Sequence, residues 1–336
     1  MDFDELIDLA SERLGSVALL ASDEFFAPKE NLLKVGAPVF IEGKYTGQGK
    51  WMDGWESRRK RAPNLAELYD WCLIRLGLSG VIRGLNVDTS FFRGNFPESC
   101  ALEACAVDGM PDVEQLMSDA IEWTELLPRT ALQGDAHNRF AIAGAERATH
   151  LRFRIFPDGG VARLRVYGEV TPDWNRLIRR QSAIDLAAVE HGGRVIACSD
   201  MFFGHRHNLI MPGRALDMSD GWETRRRRGP GYDWSVIRLG RRGLIERAEI
   251  DTSWFRGNFP ESCSLEICDA SDAADLLSVE WKELLPRTKL QAHTIHNYED
   301  ELISTGQATH VRLNIFPDGG VSRLRIYGRV SESQTI

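Results

Sequence analysis

Apolar and polar residues alternate without a break along His150-Leu-Arg-Phe-Arg-Ile-Phe156, with Leu151, Phe153 and Ile155 on one face and His150, Arg152 and Arg154 on the other. A period of two is the signature of a half-buried strand. Pro157-Asp-Gly-Gly160 follows as a turn signal, and Val161–Tyr167 alternates again. The pattern predicts a β-hairpin. Residues 71–77 (WCLIRLG), 84–90 (GLNVDTS) and 100–107 (CALEACAV) read as further short strands. Helical stretches are confined to Phe3–Leu14, Val113–Glu122 and Gln181–His191. Several short strands set between turns predict a β-sandwich.

The whole pattern occurs twice. Residues 88–105 (DTSFFRGNFPESCALEAC) and 251–268 (DTSWFRGNFPESCSLEIC) differ at three positions. Residues 8–26 likewise match 185–203, 52–61 match 219–228, 69–80 match 232–243, 125–133 match 283–291, and 148–168 match 308–328. The blocks keep the same order, so the chain is a tandem duplication of one domain; a solenoid would need at least three repeats of about 20–50 residues. The predicted fold is all-β with few short helices, a sandwich in each of domains 1–172 and 173–336. The first copy carries ten more residues within 34–52, just before Asp53-Gly-Trp-Glu56.

Composition narrows the class. With 43% hydrophobic and 27% charged residues among 336, two ordinary cores can be filled. A formal charge of −8 argues against a nucleic-acid binder that relies on net charge, so the basic runs at 58–61 and 225–228 are local features. No apolar run is long enough to span a bilayer. The acidic, amphipathic start lacks the basic and apolar regions of a secretory signal, and a cytoplasmic protein is expected. Its six cysteines are then expected to stay reduced. Cys-x4-Cys occurs twice, but in a strand its two sulfurs face opposite ways, which disfavours zinc.

Three groups of residues carry candidate chemistry. Asp53-Gly-Trp-Glu-Ser-Arg-Arg59 and Asp220-Gly-Trp-Glu-Thr-Arg-Arg226 read as loops that concentrate acids and guanidiniums. Glu56 and Glu223 there are candidate general acids or bases, and Arg58, Arg59, Arg225 and Arg226 are candidate carboxylate clamps. Arg93-Gly-Asn-Phe-Pro-Glu-Ser99 and Arg256-Gly-Asn-Phe-Pro-Glu-Ser262 add Arg93, Asn95 and Glu98, with Arg256, Asn258 and Glu261 in the second copy. An amide beside a guanidinium and a carboxylate suits a small, planar, urea-like group, although a purely structural corner would use the same turn chemistry. His137 and His296 are read as recurring in both copies and as alternative acid–base groups. His205-x-His207 with His293-x-x-His296 is the one spacing that could hold a transition metal, in the second copy alone; no metal or cofactor is expected. The arginines of the alternating segments need carboxylate or anionic partners, and Glu103, Glu169 or an adjacent subunit are the candidates.

Taken together, the duplicated DTSxFRGNFPES, DGWE[ST]RR and FPDGGVxRLRxYG motifs resemble the allantoicase family, the allantoate amidinohydrolases of purine breakdown, from about Asp8 to Val330. The resemblance implies two jelly-roll sandwiches similar to galactose-binding-like domains. It also implies a homo-oligomeric cytosolic enzyme that converts allantoate and water to (S)-ureidoglycolate and urea. Non-catalytic sandwiches that bind sugars or small polar ligands, and a duplication that serves only assembly, are the competing readings.

Overall fold

In the first copy the strands run β1 (Ile7–Asp8), β2 (Val17–Ala21), β3 (Tyr45–Thr46), β4 (Gly49–Lys50), β5 (Trp55–Glu56), β6 (Asp70–Asp88), β7 (Ser99–Cys105), β8 (Thr124–Ala131), β9 (His137–Ala141), β10 (Arg147–Phe156), β11 (Gly160–Val161) and β12 (Arg163–Val170). The second copy repeats them, without β3 and β4, as β13 (Ile184–Asp185), β14 (Arg194–Cys198), β15 (Trp222–Glu223), β16 (Asp233–Asp251), β17 (Ser262–Cys268), β18 (Lys282–Lys289), β19 (Ile295–Tyr298), β20 (Gln307–Phe316), β21 (Gly320–Val321) and β22 (Arg323–Val330). The structure is a computed structural model that describes residues 2–61, 64, 68–180, 182–270, 278–303 and 306–330. The chain divides into two compact units, Met1–Thr171 and Pro172–Ile336. Among the described residues, no helix is long and apolar enough to cross a membrane.

The two short strands expected at 71–77 and 84–90 are one strand of nineteen residues, β6. Its first half pairs with β2 on one side and β10 on the other, and its second half pairs with β12 and β9. The register against β10 breaks between Arg75 and Gly80, where the strand bends from one layer into the other. Gly77 in this bend lets the Leu14 backbone pack against the strand, since a Cβ there would lie 2.1 Å from the Leu14 carbonyl oxygen.

The predicted hairpin is not one. β10 pairs with β6 and β7, while β12 pairs with β6 and β1. The turn at 157–160 therefore hands the chain between layers, because turn residues dictate a reversal but not the neighbour that follows it. The arginines separate accordingly. Arg152 and Arg154 reach Glu103, the latter at 3.0 Å, whereas Arg163 and Arg165 reach Asp53 (2.7 Å) and Asp8 (3.3 Å). Glu169 is taken by Arg83 instead.

Two of the expected helices also fail. Phe3–Leu14 is a pair of 3-10 turns flanking β1. Gln181 lies outside the described residues, and the rest of Gln181–His191 is β13 followed by a 3-10 turn, Val189–His191. The third, at Val113, ends early: α1 is Val113–Met117, begun by an Asp112–Gln115 capping box. A second helix not expected, α2 (Trp174–Arg180), begins three residues after Thr171.

Trp55 and Trp222 are fully buried, and Trp55 lies 6.4 Å from Phe153, ring to ring. Asp185 is a buried carboxylate in this frame. It accepts the N–H groups of Ile326 (2.9 Å) and Ala187 (3.2 Å). Burial pushes its pKa up to about 6, against the pull of Arg325. The folded state thus holds this proton more tightly than the unfolded chain. The associated stabilisation is full below about pH 4 and is lost as pH rises through about 6. Asp185→Asn keeps the acceptor oxygen and is expected to flatten the stability–pH curve there by about 3 kcal/mol. Guanidinium unfolding at pH 4 and pH 7 checks this, and parallel curves for both proteins would refute it.

Candidate active site

The Asp-Gly-Trp-Glu segment is fixed at three points. Asp53 accepts a hydrogen bond from Arg163 at 2.7 Å and from Lys34 at 3.1 Å. The Trp55 indole N–H donates to the Asp23 carbonyl at 2.8 Å. Glu56 lies on β5 between Ala27 and Gly160 of β11. Gly160 has no room for a side chain, because a Cβ would come within 1.9 Å of the Phe92 ring. Its N–H donates to the Asn95 carbonyl at 2.7 Å, which docks the Arg-Gly-Asn-Phe-Pro-Glu loop on this edge.

That docking brings the two candidate motifs together. The Asn95 amide donates to Glu56 Oε1 at 2.7 Å, and Asn258 donates to Glu223 Oε1 in the second unit. Burial raises the Glu56 pKa, and the Asn95 hydrogen bond offsets part of the rise. A carboxyl with a raised pKa holds a proton to higher pH, which suits a proton donor. With Oε1 engaged, Oε2 is the oxygen that can face a substrate.

In the second unit this pair lines a cleft of about 640 Å³, together with Phe203, Thr224, Arg226, Arg227, Glu261, Lys289 and Asp318. Arg227 is held by Asp233 and donates its backbone N–H to Asp318 at 2.7 Å. Asp158 and Asp318 belong to the repeated Pro-Asp-Gly-Gly block, read from sequence only as a turn. Lys289 was also missed. Its signal was present: it faces Ala131 in the otherwise matching blocks 125–133 and 283–291 except for that position.

The remaining candidates are spread more widely. Arg58 and Arg225 are tied to Asp23 and Asp200 at 2.6 and 3.0 Å and lie over Phe25 and Phe202. Arg59 donates to the Gly94 carbonyl at 3.3 Å, beside the Asn95 loop. Arg93 is exposed and paired with Asp135 at 2.9 Å, and Arg256 is exposed. Glu98 is exposed, and Glu261, in the cleft, is paired with Arg287 at 3.1 Å.

The histidines do not correspond as read. His137 pairs in register with Asp88, but Ile295 is the residue paired with Asp251, and His296 stands where the first unit has Asn138. A slip of one residue moves a side chain to the other face of a strand. His137 is largely exposed, 3.1 Å from the Asn86 amide. His296 accepts the Gln291 N–H at 2.9 Å and lies 3.1 Å from the Ile250 carbonyl. Asn138 makes the same bridge between Gln133 and Val87, at 2.8 and 3.0 Å. His296→Asn is therefore expected to leave activity and stability near wild type, whereas His296→Ala should cost about 1–3 kcal/mol. Loss of turnover in a stably folded His296→Asn protein would restore a catalytic role.

The other histidines of the candidate metal set also serve the backbone. His205 accepts the His207 N–H at 3.2 Å, His207 is buried with Nε2 3.3 Å from the Val195 carbonyl, and His293 accepts the Trp254 N–H at 2.7 Å. Among the described residues, no three His, Cys, Asp or Glu side chains cluster as metal ligands.

The family model for the allantoicase repeat matches residues 7–171 and 184–331. A probable allantoicase of Photobacterium profundum is 48% identical over 337 residues, covering 99% of both chains. Dictyostelium discoideum allantoicase is 45% identical over 98% of this chain and 89% of its own. The crystal structure of Saccharomyces cerevisiae allantoicase superposes with a TM-score of 0.79 at 36% identity, covering 96% of this chain and 93% of that one. The duplicated motifs, the repeated all-β unit and these matches along both copies agree: the chain belongs to the allantoicase family.

Proposed function

We propose that this protein hydrolyses allantoate to (S)-ureidoglycolate and urea, using the glutamate–asparagine pair of the Asp-Gly-Trp-Glu and Arg-Gly-Asn-Phe-Pro-Glu segments. The observation that carries the reading is that pair, Glu56 with Asn95 and Glu223 with Asn258, formed the same way in both units. It stands in a family whose members are named for this reaction.

Allantoate has one carbon bearing a carboxylate and two ureido groups. As one C–N bond breaks, its electron pair goes to the departing nitrogen, which takes the glutamic acid proton and leaves as urea. The lone pair of the retained ureido nitrogen forms a C=N bond in its place. Water then adds to the carbon and gives a proton back to the carboxylate, so the acid is regenerated. The asparagine amide orients the carboxyl, and arginines of the Arg58–Arg59 and Arg225–Arg226 segments or of the Arg93 and Arg256 loops supply charge for the substrate carboxylate. A cytoplasmic homo-oligomer is part of the same proposal, on the strength of the family resemblance.

Urea release from allantoate by chelator-treated protein tests the reaction. Rapid release is expected. Release only after a divalent metal is restored would require a metal step, and no release in either condition would favour a binding module.

A further inference from the structure

The two copies of the site differ in charge. At the end of the edge strand, Lys289 of β18 lines the cleft in the second unit, and Ala131 of β8 holds that position in the first. Four residues on, Asp135 is replaced by His293. These two share a left-handed backbone, φ 52° and 51°, and each accepts a backbone N–H at 2.7 Å, from Phe91 or Trp254. With histidine neutral, the exchange takes this edge from −1 (Asp135) to +1 (Lys289).

Of the two other cations that line the cleft, one is committed. Arg227 is bound to Asp233, as Lys60 is to Asp70 in the first unit. Arg226 and Lys289 have no carboxylate partner among the described residues. In the first unit Arg59 stands in the place of Arg226, and Ala131 in the place of Lys289. An anionic substrate must approach three carboxyl residues, Glu223, Glu261 and Asp318, in this cleft. Two uncommitted cations offset that repulsion, and one does so less well.

We infer that the second unit performs the turnover and that Lys289 binds the substrate carboxylate there. The inference rests on the allantoate hydrolysis proposed above. An ammonium to carboxylate hydrogen bond is charge-assisted. Lys289→Met is expected to raise KM for allantoate about 10–50-fold with kcat changed less than about 3-fold. Lys289→Arg should return KM to within about 3-fold of wild type, which loss of a merely structural contact would not predict. Lys289→Glu should raise KM further, while Ala131→Glu should leave both constants within about 2-fold.

An unchanged KM in Lys289→Met would overturn the anchor. Equal effects of Ala131→Glu and Lys289→Glu would overturn the assignment to the second unit. A wild-type protein that releases no urea would instead refute the proposed reaction, so the two failures are distinguishable.

Discussion

Glu56→Gln combined with Glu223→Gln is expected to lower kcat for urea release by about 10²–10⁴-fold, the range lost with a positioned general acid–base group. Glutamine retains an oxygen to accept the Asn95 or Asn258 amide, so the docked loops remain in place and only the exchangeable proton is removed. KM should change little, because the variant still presents the same cations to the substrate carboxylate. Assignment of turnover to the second unit adds a sharper expectation: Glu223→Gln alone accounts for most of the loss and Glu56→Gln for little. Steady-state urea release from all three variants decides it. Wild-type turnover in the double variant would remove both glutamates from the mechanism. Attention would then pass to Glu98 and Glu261, which are exposed and, for Glu261, already paired with Arg287.

Arg163→Met should destabilise the first unit by about 3–5 kcal/mol, as expected when one member of a buried ion pair is removed. The Arg163 guanidinium is 2% exposed at the side chain and donates to the Gly36, Asp53 and Ala162 carbonyls as well as to the Asp53 carboxylate. Methionine fills similar volume but leaves Asp53 buried with the half-exposed Lys34 as its remaining ionic partner. Adding Asp53→Leu removes the stranded charge, and the double variant should recover part of the loss. Guanidinium unfolding of the two single variants and the double variant measures the coupling. A single-variant loss below about 1 kcal/mol would place this pair with ordinary surface contacts. Arg323 and Asp220 form the corresponding pair at 2.9 Å in the second unit.

These pairs show how far the sequence could be read. Alternation marked strand positions and the repeated blocks marked the duplication, since both are local or self-referential patterns. Partner choice is neither. The arginines of β10 and β12 look alike in sequence, yet they serve different layers, and Asp53 became the anchor for Arg163 only once β12 lay beside the second half of β6. For the same reason, the pairing of Arg58 with Asp23 and of Arg225 with Asp200 was not legible in sequence. The Glu56–Asn95 pair was half legible: both residues stood in repeated loops, while their 2.7 Å contact depends on the docking of Asn95 against Gly160. His137 and His296 failed by a single residue, which a strand converts into the opposite face.

The bent strand β6 also explains what evolution could copy. Because its nineteen residues serve both layers, a gene fragment encoding one layer would carry half a strand and leave its other half without partners. The smallest heritable module of this architecture is therefore the entire unit. A chain that grew by duplication acquired a second glutamate–asparagine pair with it, and the two copies were then open to divergence in charge.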